Sequence, residues 1–372
     1  MSRKHRILAI NPGSTSTKLA LFDNEDVLFS STVIHTLEEI NGFADIQNQL
    51  LYRTEVIENA MAENGYEPGD VDVFVGRGGG TVALVGGTYI VCDLLVQHAA
   101  NAMSGGAHPA QLASQISKNF ADRFGKLAFI VNPPDVDEFC DIARVSGIKG
   151  IYRESHIHTL NQKETALRFC KSRGVNYGDV NLVICHMGGG ISVTAHEKGR
   201  MIDSNDIIKG SGPMTPTRAG DMPYGKIVDL AYSGQYTKKE LMDMLNQNGG
   251  LVSHFGTADV PKIIEKITNG DKYAKLVIDA LIYQCAKYAG AMSAALKGKL
   301  EAIILTGGIA DNAYITDGLT EYLDWIAEIH VMPHEFELEA LAAGVIRVIN
   351  GEEEAKTYTG IPVWTGFEDI GG

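Results

Sequence analysis

No window of this 372-residue chain approaches the run of about 20 apolar residues that a membrane-spanning helix requires, so no membrane partner is expected. The apolar run after Arg6 stops at Asn11 and Pro12, too soon for a secretory leader, and the expected location is cytoplasmic. Cysteine is scarce. Cys92, Cys140, Cys170, Cys185 and Cys285 are odd in number and show no CxxC spacing, which argues against a disulfide framework or a cysteine-bound zinc and fits small core residues in a reducing compartment. Positive charge is in deficit: 32 Lys and Arg stand against 46 Asp and Glu, a formal net charge of −14. A field of that sign repels nucleic acid and anionic membrane alike, so neither is expected as a partner and an anionic substrate must be met by cations placed locally. Low-complexity tracts and coiled-coil heptads are also absent, which leaves no basis for a tail or scaffold role.

What is present is an ordinary globular composition, 45% apolar and 21% charged, in a chain longer than one core usually serves. Two domains are therefore expected. The same small object occurs twice, as RILAINPGSTSTKLALF from Arg6 to Phe22 and as NLVICHMGGGISVTAHE from Asn181 to Glu197. Each reads as strand, tight turn, strand, because apolar alternation breaks off at Gly or hydroxyl residues that permit sharp turns and close approach. Such turns bring backbone N–H groups to one point. With the hydroxyls of Ser14, Thr15, Ser16 and Thr17 and the charge of Lys18, the first turn suits a phosphate better than an uncharged ligand. A lone Gly-rich turn is as often structural as functional; two at a spacing of about 175 residues predict a duplicated unit holding a polyphosphate in a cleft.

A third element, EAIILTGGIADNA from Glu301 to Ala313, reads as an apolar strand, a Gly307–Gly308 turn and a helix-like segment with Asp311 near its start. Backbone at a Gly pair can lie flat against a planar or sugar group, and a helix start favours an anion. The alternative is a βα turn that needs Gly for close packing. Elsewhere Val71–Val75 and Leu127–Val131 read as buried strands, and Ala110–Phe124 and Lys163–Ser172 as amphipathic helices. Asp271–Lys297 reads as a long, largely buried helix. The fold class is α/β.

Several separated segments, in order, carry a family resemblance: INPGSTSTK (Ile10–Lys18), VGRGG (Val75–Gly79), GGTY (Gly86–Tyr89), HMGGG (His186–Gly190), GSGPMTPTRAGDMP (Gly210–Pro223), TGGIADN (Thr306–Asn312) and ELEALAAGVIRVINGEE (Glu337–Glu353). Together they resemble the acetate and butyrate kinase (acetokinase) family, in its butyrate-type form, within the actin and hexokinase superfamily. The resemblance covers nearly the whole chain. It implies two duplicated actin/hexokinase-like (ribonuclease H-like) domains with an ATP cleft between them. Domain I, on the acyl side with the first phosphate loop, would span 1–152 plus 336–372, and domain II, with the second loop and the adenosine pocket, 153–335. It also implies reversible phosphoryl transfer between ATP and butyrate or isobutyrate, giving ADP and the acyl phosphate, with Mg²⁺ and a homo-oligomer.

Residue by residue, the resemblance assigns Asn11, Ser14, Ser16 and Lys18 to the first phosphate loop and His186, Gly188, Gly189 and Gly190 to the second. Gly307, Gly308 and Ile309 would line the adenosine pocket. Arg77 and Arg218 match the arginines that hold the carboxylate and the transferring phosphoryl group, and a planar, permanently charged fork suits that work. Arg77 ends an apolar strand beside three glycines, and Arg218 lies in a Gly/Pro-rich loop, both places where a charge is aimed. His186 and His158 are the matching histidines, with His156 an alternative to His158. Glu337 matches a carboxylate near the metal. At the position where the family usually has a metal-side Asp this chain has Asn132, and Asp137 or Asp135 is expected to take over. His108 matches a substrate-pocket histidine, but Ala107 and Gln111 depart from the acidic residue and Asn that usually flank it.

The chemistry accounts for the residue types. A carboxylic acid is already ionised near neutral pH, so its phosphorylation needs charge neutralisation and no general base, whereas a sugar kinase needs a positioned carboxylate. GRGGGTVALVGGTY follows the butyrate-type form, and each extra buried CH₂ is worth only about 0.8 kcal/mol, so overlapping use of propionate to valerate is expected. The alternatives are an acetate or propionate kinase of the same family, a sugar kinase, and a nucleotide-gated actin-like binding protein.

Overall fold

The computed structural model describes residues 4–208, 211–368 and 371, so Gly210 of the Gly210–Pro223 motif lies outside the described residues. The chain divides into two compact units, one from Met1–Asp137, Thr159–Asn161 and Phe336–Gly372, the other from Glu138–His158 and Gln162–Glu335.

In the first unit, β1 (Arg6–Pro12), β2 (Ser16–Asp23) and β3 (Asp26–Ile34) form an antiparallel meander. β4 (Val73–Gly76) lies parallel to the other side of β1, β5 (Thr88–Ile90) and β6 (Leu127–Val131) follow, and β6 runs parallel to β4. Ile7, Leu8, Ala9 and Ile10 have no solvent exposure, because helices cover both faces of this strand. On one face Ile7, Ala9, Val75 and Val131 pack against Ala340, Leu341 and Val345 of the last helix, Glu337–Ile349. Leu112–Phe124 packs on β4 and β6.

The second unit repeats the plan. β7 (Asn181–Met187), β8 (Ile191–Glu197) and β9 (Arg200–Ser204) are an antiparallel meander, with β10 (Ala302–Gly307) parallel to β7 and β11 (Glu328–Pro333) parallel to β10. The order β11-β10-β7-β8-β9 matches β6-β4-β1-β2-β3 strand for strand and direction for direction. Even the irregularity recurs: register slips at Leu21/Phe22 in the first meander and at Ala195/His196 in the second. The duplication expected from the two hairpins is thus visible in topology. β5 and β12 (Lys356–Thr357) extend the first sheet alone.

The long helix Lys272–Ala295 packs Val277, Ile278, Leu281 and Cys285 on Val183, Cys185, Val193 and Ala195. Its first turn is capped by Asp271, whose carboxylate accepts from the Tyr273 and Ala274 N–H groups. The opposite face of β7 and β10 is covered by Ala166, Phe169 and Cys170 of helix Thr159–Arg173. No helix among the described residues is long and apolar enough to cross a membrane.

Candidate active site

The first hairpin turns through Gly13–Ser16, closed by a Gly13 N–H to Ser16 O bond of 2.7 Å. Strand alternation then sorts the hydroxyls. Ser14 and Thr15 are exposed and Ser16 half-buried, while Thr17 points inward and is fully buried. The Thr17 hydroxyl accepts from Arg53 Nη1 at 2.9 Å and meets His35 Nε2 at 2.8 Å, so it belongs to the wall behind the turn and leaves the phosphate-facing group expected from sequence. Arg53, on helix Leu50–Glu63, is completely buried and also donates to Ser16 O and Gln49 Oε1. Its hydrogen-bond partners are all neutral, and Nη2 has none.

Asn11 and Lys18 face each other across β1 and β2. Both reach Glu337 in the first turn of the last helix: Asn11 Nδ2 donates to Oε2 at 2.8 Å, and Lys18 Nζ lies 3.8 Å from it. Arg77, directly after β4, is buried; its Nη1 donates to Asn132 O, and Glu337 and Asp135 oppose the downward pull of burial on its pKa. Arg77, Asn11, Lys18 and Glu337 are therefore linked around one end of the first sheet. Asn132 adopts a positive φ of 41°, a conformation Asn tolerates, and its side-chain oxygen accepts from Gly87 N–H at 2.8 Å. Asp135 accepts from the Thr81 N–H and hydroxyl, with burial pushing its carboxyl up, while Asp137 is buried and bonded through its backbone to Leu84. His108 is open to solvent, yet the crowding around it and the fields of Arg77 and Arg53 push its pKa down; its Nδ1 accepts from Ala110 N–H.

In the second unit the turn Gly188–Gly190 is closed by a Gly188 N–H to Gly190 O bond of 2.9 Å. A Cβ on Gly190 would stand 2.6 Å from Arg218 Nη1 and 3.3 Å from His158 Cε1, so the guanidinium and the imidazole edge both rest on this backbone. The His158 and His186 rings are 4.5 Å apart, and His186 Nε2 is 3.7 Å from Glu335 Oε1. Arg218 also donates from Nη1 to Ile207 O; burial lowers its pKa and Asp206 opposes the shift. Arg218, His158, His186 and the glycine turn thus form one group, while His156 Nδ1 meets Asp206 Oδ2 at 3.1 Å. At the third Gly element, Gly307 has φ 88° and a methyl there would overlap the Met187 carbonyl. Gly308 is open, whereas Ile309 turns its side chain into the core, leaving its backbone to line any ligand.

Several supporting residues escaped the sequence reading. The hydroxyls of Thr215 and Thr217 both donate to Gly189 O, at 2.8 and 3.1 Å, and fix the second turn from the Arg218 loop. Ser192 Oγ meets His158 Nδ1 at 3.0 Å. Thr215 and Thr217 stand within three residues of Arg218, a proximity that could have flagged them; Ser192 carried no signal beyond its strand position. Among the described residues no group of three or more His, Cys, Asp or Glu side chains is arranged to hold a metal. Mg²⁺ needs less: one carboxylate, retained waters and phosphate oxygens suffice, and Glu337, partly open and beside the Asn11 carboxamide, fits that donor set.

Two α/β sheets sharing one five-strand plan, each with a tight hairpin turn at the same place, define a duplicated actin- and hexokinase-like fold. The sequence model of the acetokinase family matches residues 150–335. A probable butyrate kinase of Clostridium botulinum (strain Alaska E43 / Type E3) is 42% identical over 354 residues, 95% of this chain and 99% of that protein, and one from strain Eklund 17B / Type B is 41% identical over the same shares. The chain belongs to the acetokinase family. Its fold is similar to that of Porphyromonas gingivalis acetate kinase, with TM-score 0.76 and 17% identity over 93% of this chain and 100% of that one. Entamoeba histolytica acetate kinase gives a TM-score of 0.73 at 15% identity, covering 91% and 98%.

Proposed function

We propose that the chain is a butyrate kinase, transferring the terminal phosphoryl group of ATP reversibly to butyrate or isobutyrate. The observation that carries this reading is the convergence of Arg218 and His158 on the Gly190 backbone, at the Gly188–Gly190 turn. The match to butyrate kinases along almost the whole chain supports it. In the reaction a carboxylate oxygen attacks the γ-phosphorus in line; that O–P bond forms as the bond to the β–γ bridging oxygen breaks, and ADP leaves with the electron pair. No proton has to be removed from the acid. What the site must supply is positive charge and donors where charge builds up, which is work for fixed groups in a dry setting.

In the proposed roles, Arg77 holds the acid carboxylate in the first unit and the backbone and side chains of Asn11, Ser14, Ser16 and Lys18 face phosphate oxygens. In the second unit Arg218, His158 and His186 stabilise the transferring group, Gly188–Gly190 cradle phosphates, and Gly307, Gly308 and the Ile309 backbone flank the adenosine. Glu337, positioned by Asn11, would hold Mg²⁺, which when bound neutralises phosphate charge. Asp137 would support it from the first unit. Placement in the cytoplasm and assembly into a homo-oligomer belong to the same proposal; light scattering of the purified protein reads the second.

The test is acyl hydroxamate formation from ATP, Mg²⁺ and hydroxylamine with acids of two to six carbons, and with Arg77→Ala as the control. Product peaking at four carbons and falling about 100-fold or more in the variant is expected. A strong preference for acetate moves the assignment to an acetate kinase. ATP turnover with no trapped acyl phosphate overturns the acyl kinase and points to a nucleotide-gated binding protein.

A further inference from the structure

His158 sits at the end of a buried polar chain that runs back through the second sheet. Tyr177 OH meets His196 Nδ1 at 2.7 Å, His196 Nε2 meets Gln162 Oε1 at 3.0 Å, Gln162 Nε2 meets Ser192 Oγ at 3.0 Å, and Ser192 Oγ meets His158 Nδ1 at 3.0 Å. His196, Gln162 and Ser192 have no solvent exposure. Imidazole, amide and hydroxyl groups can each be turned round, so a chain of this sort has a direction only where something obligate fixes it.

Gln162 is that point. Its Nε2 also lies 3.0 Å from Ser192 O and 3.3 Å from Ile184 O, two backbone carbonyls that can only accept. The amide nitrogen must therefore face β7 and β8, and its oxygen must face His196. From there every proton has one place. His196 Nε2 carries a hydrogen and gives it to Gln162 Oε1, so Nδ1 accepts from Tyr177 OH. Gln162 Nε2 has two hydrogens for three oxygens and no lone pair to offer, so the Ser192 hydroxyl cannot donate to it, and among the described residues the acceptor for that hydroxyl hydrogen is His158 Nδ1. With Nδ1 accepting, neutral His158 carries its hydrogen on Nε2, on the side of the ring away from Ser192. Cε1, the carbon between the two ring nitrogens, rests on Gly190 beside Arg218.

We propose that Ser192 and Gln162 are positioning residues that lock His158 in its Nε2–H tautomer, so that it presents a fixed hydrogen-bond donor to the transferring phosphoryl group. The inference rests on the acyl kinase reading for what His158 donates to; the tautomer follows from the hydrogen bonds alone. A histidine free to exchange tautomers would offer a lone pair to an anionic phosphoryl oxygen for part of the time, and a lone pair there repels. The chain removes that state. It also explains an amide at position 162: a carboxylate there could not donate to either carbonyl.

The test has a spectroscopic and a kinetic arm. In protein labelled with ¹⁵N-histidine, two-bond ¹⁵N–¹H correlations read the tautomer of each ring, and His158→Gln assigns the His158 signals among the 11 histidines. The wild type is expected to show His158 as the Nε2–H form. Ser192→Ala, which leaves Gln162 its two carbonyl acceptors, is expected to give a mixture of forms and a kcat lowered about tenfold or more, with KM for ATP and acid changed little. Ser192→Thr, which keeps the hydroxyl, should recover most of the lost kcat. A wild-type His158 protonated on Nδ1 overturns the proposal without any variant having to fold, and so does Ser192→Ala with wild-type kcat. If the wild-type protein forms no hydroxamate, the acyl kinase reading fails with its kinetic arm, while the tautomer result still stands or falls by itself.

Discussion

At the scale of single residues, the site depends on places where no side chain fits. Gly190→Ala puts a methyl into Arg218 and the edge of His158, so the expected result is a kcat reduced about 100-fold with a melting temperature close to wild type, because the groups displaced are the ends of two side chains of the proposed site and not core packing. Gly307→Ala meets the Met187 backbone and a positive φ together, and is expected to lower stability by about 1–3 kcal/mol in a denaturant titration and to weaken nucleotide binding. These glycines were legible in the sequence as turn formers. The inward hydroxyl of Thr17 was legible in principle too, since alternation along β2 separates it from Ser16 and Lys18. The buried partners were not: nothing about Ser192 or Arg53 as letters says which group each will face, because that is decided by strands and helices distant in sequence.

At the scale of elements, helix Thr159–Arg173 is tied to the second sheet by a pair hidden from water. Lys163 Nζ lies 2.8 Å from Glu138 Oε1, and the other oxygen of Glu138 accepts from Met201 N–H. Lys163→Met removes the cation that pairs with that buried carboxylate, and a loss of about 3–5 kcal/mol in chemical denaturation is expected, whereas the same change at exposed Lys275, paired with Asp279, should leave the denaturation midpoint nearly unmoved. The strands β1, β4, β6, β7 and β10 could be read from sequence because both faces are covered and their apolar runs are unbroken. The nine-residue helices Tyr224–Tyr232 and Lys238–Asn246 went unread, their short amphipathic patterns being too brief to stand out from the loop around Arg218. Which helix covers which face of which sheet is a matter of topology, and periodicity does not carry it.

For the whole molecule, buried neutral histidines contribute to a loss of stability in acid. Burial, with Lys163 adding to it, pushes the His196 pKa down from 6.5 to about 3, and burial and Arg53 push His35 down as well. Because the folded chain resists a proton that the unfolded chain accepts, this contribution is complete above pH 6.5 and is lost progressively as the pH falls from there towards 3. Urea midpoints are expected to decline across that interval, and more gently in His196→Gln. Arg53 points to a different kind of dependence. A guanidinium sealed behind the first hairpin with only neutral hydrogen-bond partners carries an electrostatic cost, and an anion docked at the turn as proposed would offset part of it. The rise in melting temperature given by pyrophosphate should therefore shrink in Arg53→Met, whatever the variant does to the unliganded midpoint. In a cell, such a protein would be cleared faster when phosphate-bearing ligands run low, so that its abundance follows the supply of what it binds.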